Sequence, residues 1–293
     1  MLSARELTKV YNGTPVVYNV SFDLQPGTVT AFLGPNGAGK STTLRMLTGL
    51  TRPTHGQSWF AGRHYTAWPN PAHVAGVLLD ASATHPGRTG RSHLRNTAIL
   101  AGVPTSRVDE VLNEVGLADA GGKKIGKYSL GMRQRLGLAQ ALLTRPPVLI
   151  LDEPINGLDP EGIRSIRTLL RNHAAAGGTV LLSSHVLSEV DQTADRVLMI
   201  GNGQIVADGP LRELVSSQQS VARGPDSARL AQVLRDAGIG VQPTPDGAVF
   251  ANATPERVSD VAFKAGVQIH NITEYQQSLE EIFFRLAGGQ QRR

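Results

Sequence analysis

Nine consecutive residues, Gly34-Pro35-Asn36-Gly37-Ala38-Gly39-Lys40-Ser41-Thr42, fit the pattern GxxxxGK(S/T). Glycines at this spacing let backbone N–H groups turn inward around phosphate oxygens, and a helix starting behind them adds its dipole. Lys40 would then reach the β- and γ-phosphates of a bound nucleotide, and the Ser41 hydroxyl would ligate Mg2+. Further along, the apolar run Val148–Leu151 ends in Asp152 and Glu153. A buried strand of this kind carries Asp152 to the Mg2+ shell, and an uncoordinated Glu153 beside it orients and deprotonates water. The two segments together carry the chemistry of phosphoryl transfer to water.

Such groups need elements to hold them. Val16–Leu24 and Thr28–Leu33 read as β-strands joined by the turn Gln25-Pro26-Gly27, within a region 1–33 of short strands. The phosphate loop follows the second strand, and Lys40–Leu50 has helical spacing behind it. Helical patterns cover Ser92–Ala101, Ser106–Val115 and Ser129–Leu143. Then the period changes. Val148–Leu151, Thr179–Ser183 and Arg196–Ile200 are buried strands alternating with helices after Asp159-Pro160 and over Val186–Ala194. The reading is an α/β nucleotide-binding domain over residues 1–217, with a helical subdomain inserted at about 85–145. Residues 218–293 form a smaller α+β accessory domain. Its order β (Ser220–Arg223), α (Ser227–Ala237), β (Gly240–Gln242), β (Ala248–Ala251), α (Thr254–Lys264), β (Gln268–Thr273) is that of a ferredoxin-like unit. Ser278-Leu279-Glu280-Glu281 is a capping box opening a last helix with Ile282, Phe283 and Leu286.

The 293 residues contain no cysteine, which excludes disulfides, Cys-ligated zinc, iron–sulfur clusters and thiol nucleophiles. No apolar run approaches the roughly 18–20 residues of a membrane span, and the polar start, with Arg5, Glu6 and Lys9, does not read as a signal peptide. The net charge of +5 is concentrated: residues 81–145 hold ten basic side chains against four acids. That segment reads either as a solvated helical face or as a surface for an anionic partner. The histidines other than His185 show no metal-ligand spacing.

With these residues in place, the chain resembles the nucleotide-binding subunits of ABC transporters over about residues 2–217, because further segments match that family in its order. Tyr11 stands where the family stacks an aromatic on adenine, although a plain strand residue is the other reading of it. Tyr128-Ser129-Leu130-Gly131-Met132 stands at the family's LSGGQ signature, continued by Arg133-Gln134-Arg135. Asp159 in Gly157-Leu158-Asp159-Pro160 matches the D-loop, and His185 in Ser183-Ser184-His185 matches the switch histidine. The resemblance implies a P-loop NTPase fold, ATP and Mg2+ as ligands, and His185 on the γ-phosphate. It also implies that Ser129 and Gly131 complete the site of a second copy of the chain. Ser129 as an N-cap and Gly131 as a small residue suit that task on physical grounds too. Two departures stand out. Leu130 and Met132 replace the signature's Gly and Gln, and Asp80 replaces a glutamine that senses Mg2+ or attacking water. Asp80 is then a metal ligand or a turn former.

The phrases VLLDASATHPGRTG, YSLGMRQRLGLAQALL and SLEEIFF resemble the branch that exports antibiotics and related amphiphiles in bacteria. That branch implies an ATPase on the cytoplasmic face of the cell membrane, paired with a separate integral membrane permease docked on the basic helical segment. No nucleic acid is expected. The alternative is a soluble ABC-type ATPase acting on ribosomes, DNA or assembly factors. A single phosphate loop and the lack of sustained heptads weigh against it, and the SLEEIFF ending weighs against an importer.

Overall fold

Four strands of the chain have no solvent-facing side: Val29–Leu33 (β3), Val148–Leu151 (β6), Thr179–Ser184 (β7) and Arg196–Gly201 (β8) are buried along nearly their whole length. Apolar residues on both faces suit strands covered on both sides, as in a parallel sheet between helices. In the computed structural model these strands form such a sheet. It describes residues 2–186, 190–244, 246–276, 278–279 and 281–282. With Ala75–Leu78 (β5) and Gln204–Pro210 (β9), the strand order is β5-β6-β7-β3-β8-β9. Neighbours are parallel except at β8 and β9, which pair antiparallel.

A second sheet, β2-β1-β4, is antiparallel and made of Leu2–Tyr11 (β1), Thr14–Asp23 (β2) and His55–Phe60 (β4). Here the structure differs from the reading of short strands. β1 and β2 are ten residues each, and register shifts break their alternation, with Glu6 and Asn19 at positive φ. A two-residue hydrophobic period cannot be followed across such irregularities. The helix Lys40–Leu47 (α1) starts directly at the phosphate loop, and its Leu44 and Leu47 pack with Leu7, Phe22, Phe32 and Phe60 into one core.

Helices Gly90–Ala101 (α2), Arg107–Glu114 (α3) and Leu130–Leu142 (α4) lie between β5 and β6 in sequence, where the insertion was expected. The acids of that segment are largely spoken for. Arg107 pairs with Glu110 and Glu114, Arg145 with Glu110, and Arg91 with Asp109. Helix Pro160–Ala175 (α5) begins at Asp159. Of the helix expected over Val186–Ala194, residues 187–189 lie outside the described residues.

The chain divides into two compact units, residues 1–210 and 211–293. A boundary after Ser217 would cut the strand Ser216–Arg223 (β10), which follows the short helix Leu211–Val215 (α6). The second unit continues with Ser227–Asp236 (α7), Val241–Pro243 (β11), Val249–Ala251 (β12), Pro255–Lys264 (α8) and Asn271–Gln276 (β13). Its sheet order is β11-β12-β10-β13 with antiparallel neighbours. Leu230, Leu234, Val249, Val258 and Ala262 form its core. The capping box is made: Ser278 Oγ accepts from the Glu281 N–H at 3.2 Å, and the Glu281 carboxylate accepts from the Ser278 N–H at 3.1 Å. Leu279 and Ile282 are buried, while Phe283, Phe284 and Leu286 lie outside the described residues. Among the described residues no helix is long and apolar enough to cross a membrane.

Candidate functional site

The carboxyl ends of four parallel neighbours, β5, β6, β7 and β3, carry Asp80, Asp152 with Glu153, His185 and the phosphate loop in turn. Ligands of open α/β sheets bind at this edge, where loops from adjacent strands converge.

The loop's glycines are required by its packing. A Cβ on Gly34 would sit 2.4 Å from the Ile200 carbonyl oxygen, and Gly39 has φ +106° with the Val16 carbonyl oxygen 2.9 Å from where a Cβ would be. No other residue type fits either place. Gly39 is the N-cap of α1 and has no side chain to cap it, and the first turn of α1 holds no acid. Its free N–H groups and the helix dipole therefore face the loop, which is the donor set an anionic phosphate needs. Lys40 is buried, and its Nζ donates to the carbonyl oxygens of Gly34 at 2.6 Å and Pro35 at 3.1 Å. Burial pushes its ammonium below the ordinary lysine range, against the opposing pull of Glu153 and Asp152. Pro35, Asn36, Gly37 and Ser41 are exposed, Thr42 is half-buried, and Ala38 is buried.

Behind the loop, Ser183 Oγ donates to Asp152 Oδ1 at 2.5 Å and accepts from the Glu153 N–H at 2.9 Å. Glu153 has φ +49°, a left-handed conformation that costs a non-glycine residue about 1–3 kcal/mol. Its Oε2 lies 2.8 Å from His185 Nδ1, which must be the donor toward a carboxylate. His185 is turned outward by a tight turn in which Ser184 Oγ accepts from the Val186 N–H at 3.0 Å. The structure thus brings Lys40, Asp152, Glu153 and His185 to one sheet edge. Ser41 and Asp152 offer hydroxyl and carboxylate oxygens, the hard donors Mg2+ takes, and no cage of three or more acidic or His side chains exists among the described residues.

Asp80 is exposed, and its Oδ1 accepts from the Ser82 hydroxyl at 2.6 Å and the Ser82 N–H at 2.8 Å. Those two bonds, with a smaller pull from Arg45, hold its carboxyl below the usual range. Tyr11 ends β1, is exposed, and has Lys9 Nζ 4.9 Å from its ring centre. Ser129 is the N-cap of α4, accepting from the Met132 N–H at 3.2 Å. Gly131 lies close to the segment Gly157-Leu158, where a Cβ would be 3.1 Å from the Gly157 carbonyl oxygen. Leu130 packs over Gly157 itself, so it fills space against the loop before α5 while staying half-exposed. Asp159 caps α5 by accepting from the Gly162 N–H at 2.9 Å and pairs with Arg135 at 3.5 Å. Sequence reasoning passed over Ser183 and Gln134 as members of longer motifs. Ser183 is marked by the apolar run Val180–Leu182 before it, whereas Gln134, between Arg133 and Arg135, carries no such signal; both are buried.

Residues 17–156 match the ABC transporter family, and residues 210–280 match a domain family of unknown function. The bacitracin transport ATP-binding protein BcrA of Bacillus licheniformis is 34% identical over 301 residues, covering 99% of this chain and 98% of its own length. The chain belongs to the ABC transporter ATP-binding family. The lantibiotic transport ATP-binding protein SrtF of Streptococcus pyogenes is 36% identical across 71% of this chain and 90% of its own. Among solved structures, an ATP-binding subunit of an ABC transporter superposes with a TM-score of 0.67 at 28% identity, covering 73% of this chain and 91% of its own. A bacterial cassette solved as a dimer after hydrolysis, with ADP and phosphate, shares the fold at a TM-score of 0.67 and 22% identity over 72% of this chain. As a member of this family the chain is an ATPase with the P-loop fold.

Proposed function

We propose that this chain is the ATP-hydrolysing subunit of a bacterial exporter, powering efflux of an antibiotic or other amphiphile through a separate permease. The convergence of the phosphate loop, Asp152, Glu153 and His185 at one sheet edge supports the hydrolytic part of the reading most directly. Full-length similarity to a bacitracin transport subunit supports the cargo class. The subunit works at the cytoplasmic face of the cell membrane, as a pair of copies beneath the permease.

In this reading the loop amides from Gly34 to Thr42 and the Lys40 ammonium bind the β- and γ-phosphates, and Tyr11 stacks on the adenine. Ser41 and Asp152 hold Mg2+, with Asp80 at its margin; the ion would supply charge neutralisation on the phosphates. Glu153 accepts a proton from water as the water oxygen bonds to the γ-phosphorus and the bond to the ADP oxygen breaks. His185, already bonded to Glu153, positions the γ-phosphate. Ser129 and Gly131 of a second copy close over it, with Asp159 of each copy at the seam. ATP therefore acts as glue, and hydrolysis releases it.

Lys40→Ala tests the assignment. Losing a charge-assisted phosphate contact is expected to abolish hydrolysis and, in cells carrying the permease, efflux of a bacitracin-type peptide, while the fold persists. Near wild-type turnover would refute it. A purified chain that binds no membrane protein and hydrolyses ATP in response to ribosomes instead would favour the soluble reading.

A further inference from the structure

Gln134 is an anomaly of α4. It is buried, as the apolar Leu136, Leu138 and Ala139 of the same helix are, its Oε1 has no hydrogen-bond partner among the described residues, and a leucine there would cost less. What its amide does make is one bond: Nε2 donates to the carbonyl oxygen of Glu153 at 2.8 Å. The opposite amide orientation would set two oxygens against each other, so the donor side is fixed. On the other side of the same residue, Ser183, fully buried at the end of β7, accepts from the Glu153 N–H at 2.9 Å. Glu153 is thus gripped at both of its backbone polar groups, by a helix and by a strand, with the Asn156 N–H adding a local bond to its carbonyl oxygen at 3.2 Å, while it holds the disfavoured φ of +49°. A left-handed glutamate persists only where its surroundings over-determine it.

We infer that Gln134 and Ser183 are positioning residues for hydrolysis: together they clamp the Glu153 backbone in its left-handed turn and so aim its carboxylate at the attacking water and His185. The inference rests on the reading of Glu153 as the general base. Without the clamp the residue relaxes toward ordinary φ, and its carboxylate, a side chain's length away, swings off line. A misplacement of about 1 Å costs roughly 10²-fold in rate. Ser183 also holds Asp152 Oδ1, so it has a second route of influence, whereas Gln134 touches the site only through Glu153. Gln134 lies on the helix capped by Ser129, the residue assigned to the second copy's ATP, so one rigid element serves both sites.

The test is single-turnover hydrolysis of radiolabelled ATP by the full chain. Gln134→Met keeps the length of the side chain and removes the donor. It is expected to lower the rate about 10- to 100-fold with ATP affinity within about twofold of wild type. In a Glu153→Gln background, where no base remains to be aimed, the same substitution is expected to change nothing further. A wild-type rate for Gln134→Met overturns the clamp. So does a loss of equal size in the Glu153→Gln background, which would mean general damage. If Gln134→Met fails to bind ATP, Gln134→Leu, which also removes the donor, is read by the same two criteria. Should Glu153→Gln alone hydrolyse like wild type, the base reading fails by its own result, and the clamp fails with it.

Discussion

Lys40 illustrates how a single residue trades stability for function. Burial holds its ammonium below the ordinary lysine range, so the folded chain binds that proton less tightly than the unfolded one. The sign follows: at neutral pH, below both values, the fold carries the full cost of the buried charge, and the cost fades as pH rises past the folded value. Lys40→Met is expected to be inactive yet to melt no lower than wild type at pH 7, with the advantage shrinking as pH rises through the lysine range; calorimetry at neutral and alkaline pH checks it. Asp80 is the second case. Its Oδ1 is occupied by Ser82, so its reach toward a metal is in competition with its own turn. Asp80→Ala is expected to raise the Mg2+ concentration for half-maximal ATPase about tenfold. Ser82→Ala, which frees the carboxylate, is expected to lower that concentration. Equal turnover and equal Mg2+ dependence in all three proteins would make Asp80 a turn former only.

At the scale of elements, the second unit has an acid-sensitive fastening. Arg223 on β10 and Thr244 beyond β11 both bond Asp246, whose pKa falls to about 2 from 3.8. A depressed folded value stabilises the fold above the unfolded value and is lost as pH falls from about 4 toward 2. Asp246→Asn is therefore expected to lower the melting temperature of the second unit at pH 5, with the difference shrinking as pH falls toward 2. The pair is solvent-exposed, so the shift will be small. The elements nearest the chemistry were the ones most legible in the sequence. β6 and β7 are continuous apolar runs, and Ser129 and Asp159 cap α4 and α5 as their types announce. β4 and β9 were missed: each is partly exposed and contains Gly56 or Gly209-Pro210, which a strand pattern excludes. The left-handed turn at Glu153 had no signal in its own residue type, since besides the local bond from the Asn156 N–H it is held by Gln134 and Ser183 from elsewhere in the chain.

The whole molecule divides after Pro210, and each part has its own core. A chain ending at Pro210 is expected to bind ATP with near wild-type affinity, and residues 211–293 to fold alone; nucleotide titration and circular dichroism check the pair. Assembly of two copies should depend on unhydrolysed nucleotide. Glu153→Gln retains every phosphate contact and loses the base, at a cost of about 10²–10⁴ in rate. It is expected to pass from monomer to dimer when ATP is added, with Ser129→Arg preventing the shift by crowding the phosphate; light scattering at tens of micromolar decides. The strand order carries one more consequence, for the birth of the protein. β3, which bears the phosphate loop, lies between β7 and β8, strands about 150 residues later in the chain. At about 5–20 residues per second the ribosome needs roughly 8–30 s to supply them. Throughout that interval Val29–Leu33, apolar on both sides, has no sheet to enter. The nascent chain is thus a natural client for chaperones, and a message truncated before β8 yields an aggregate rather than a weaker enzyme.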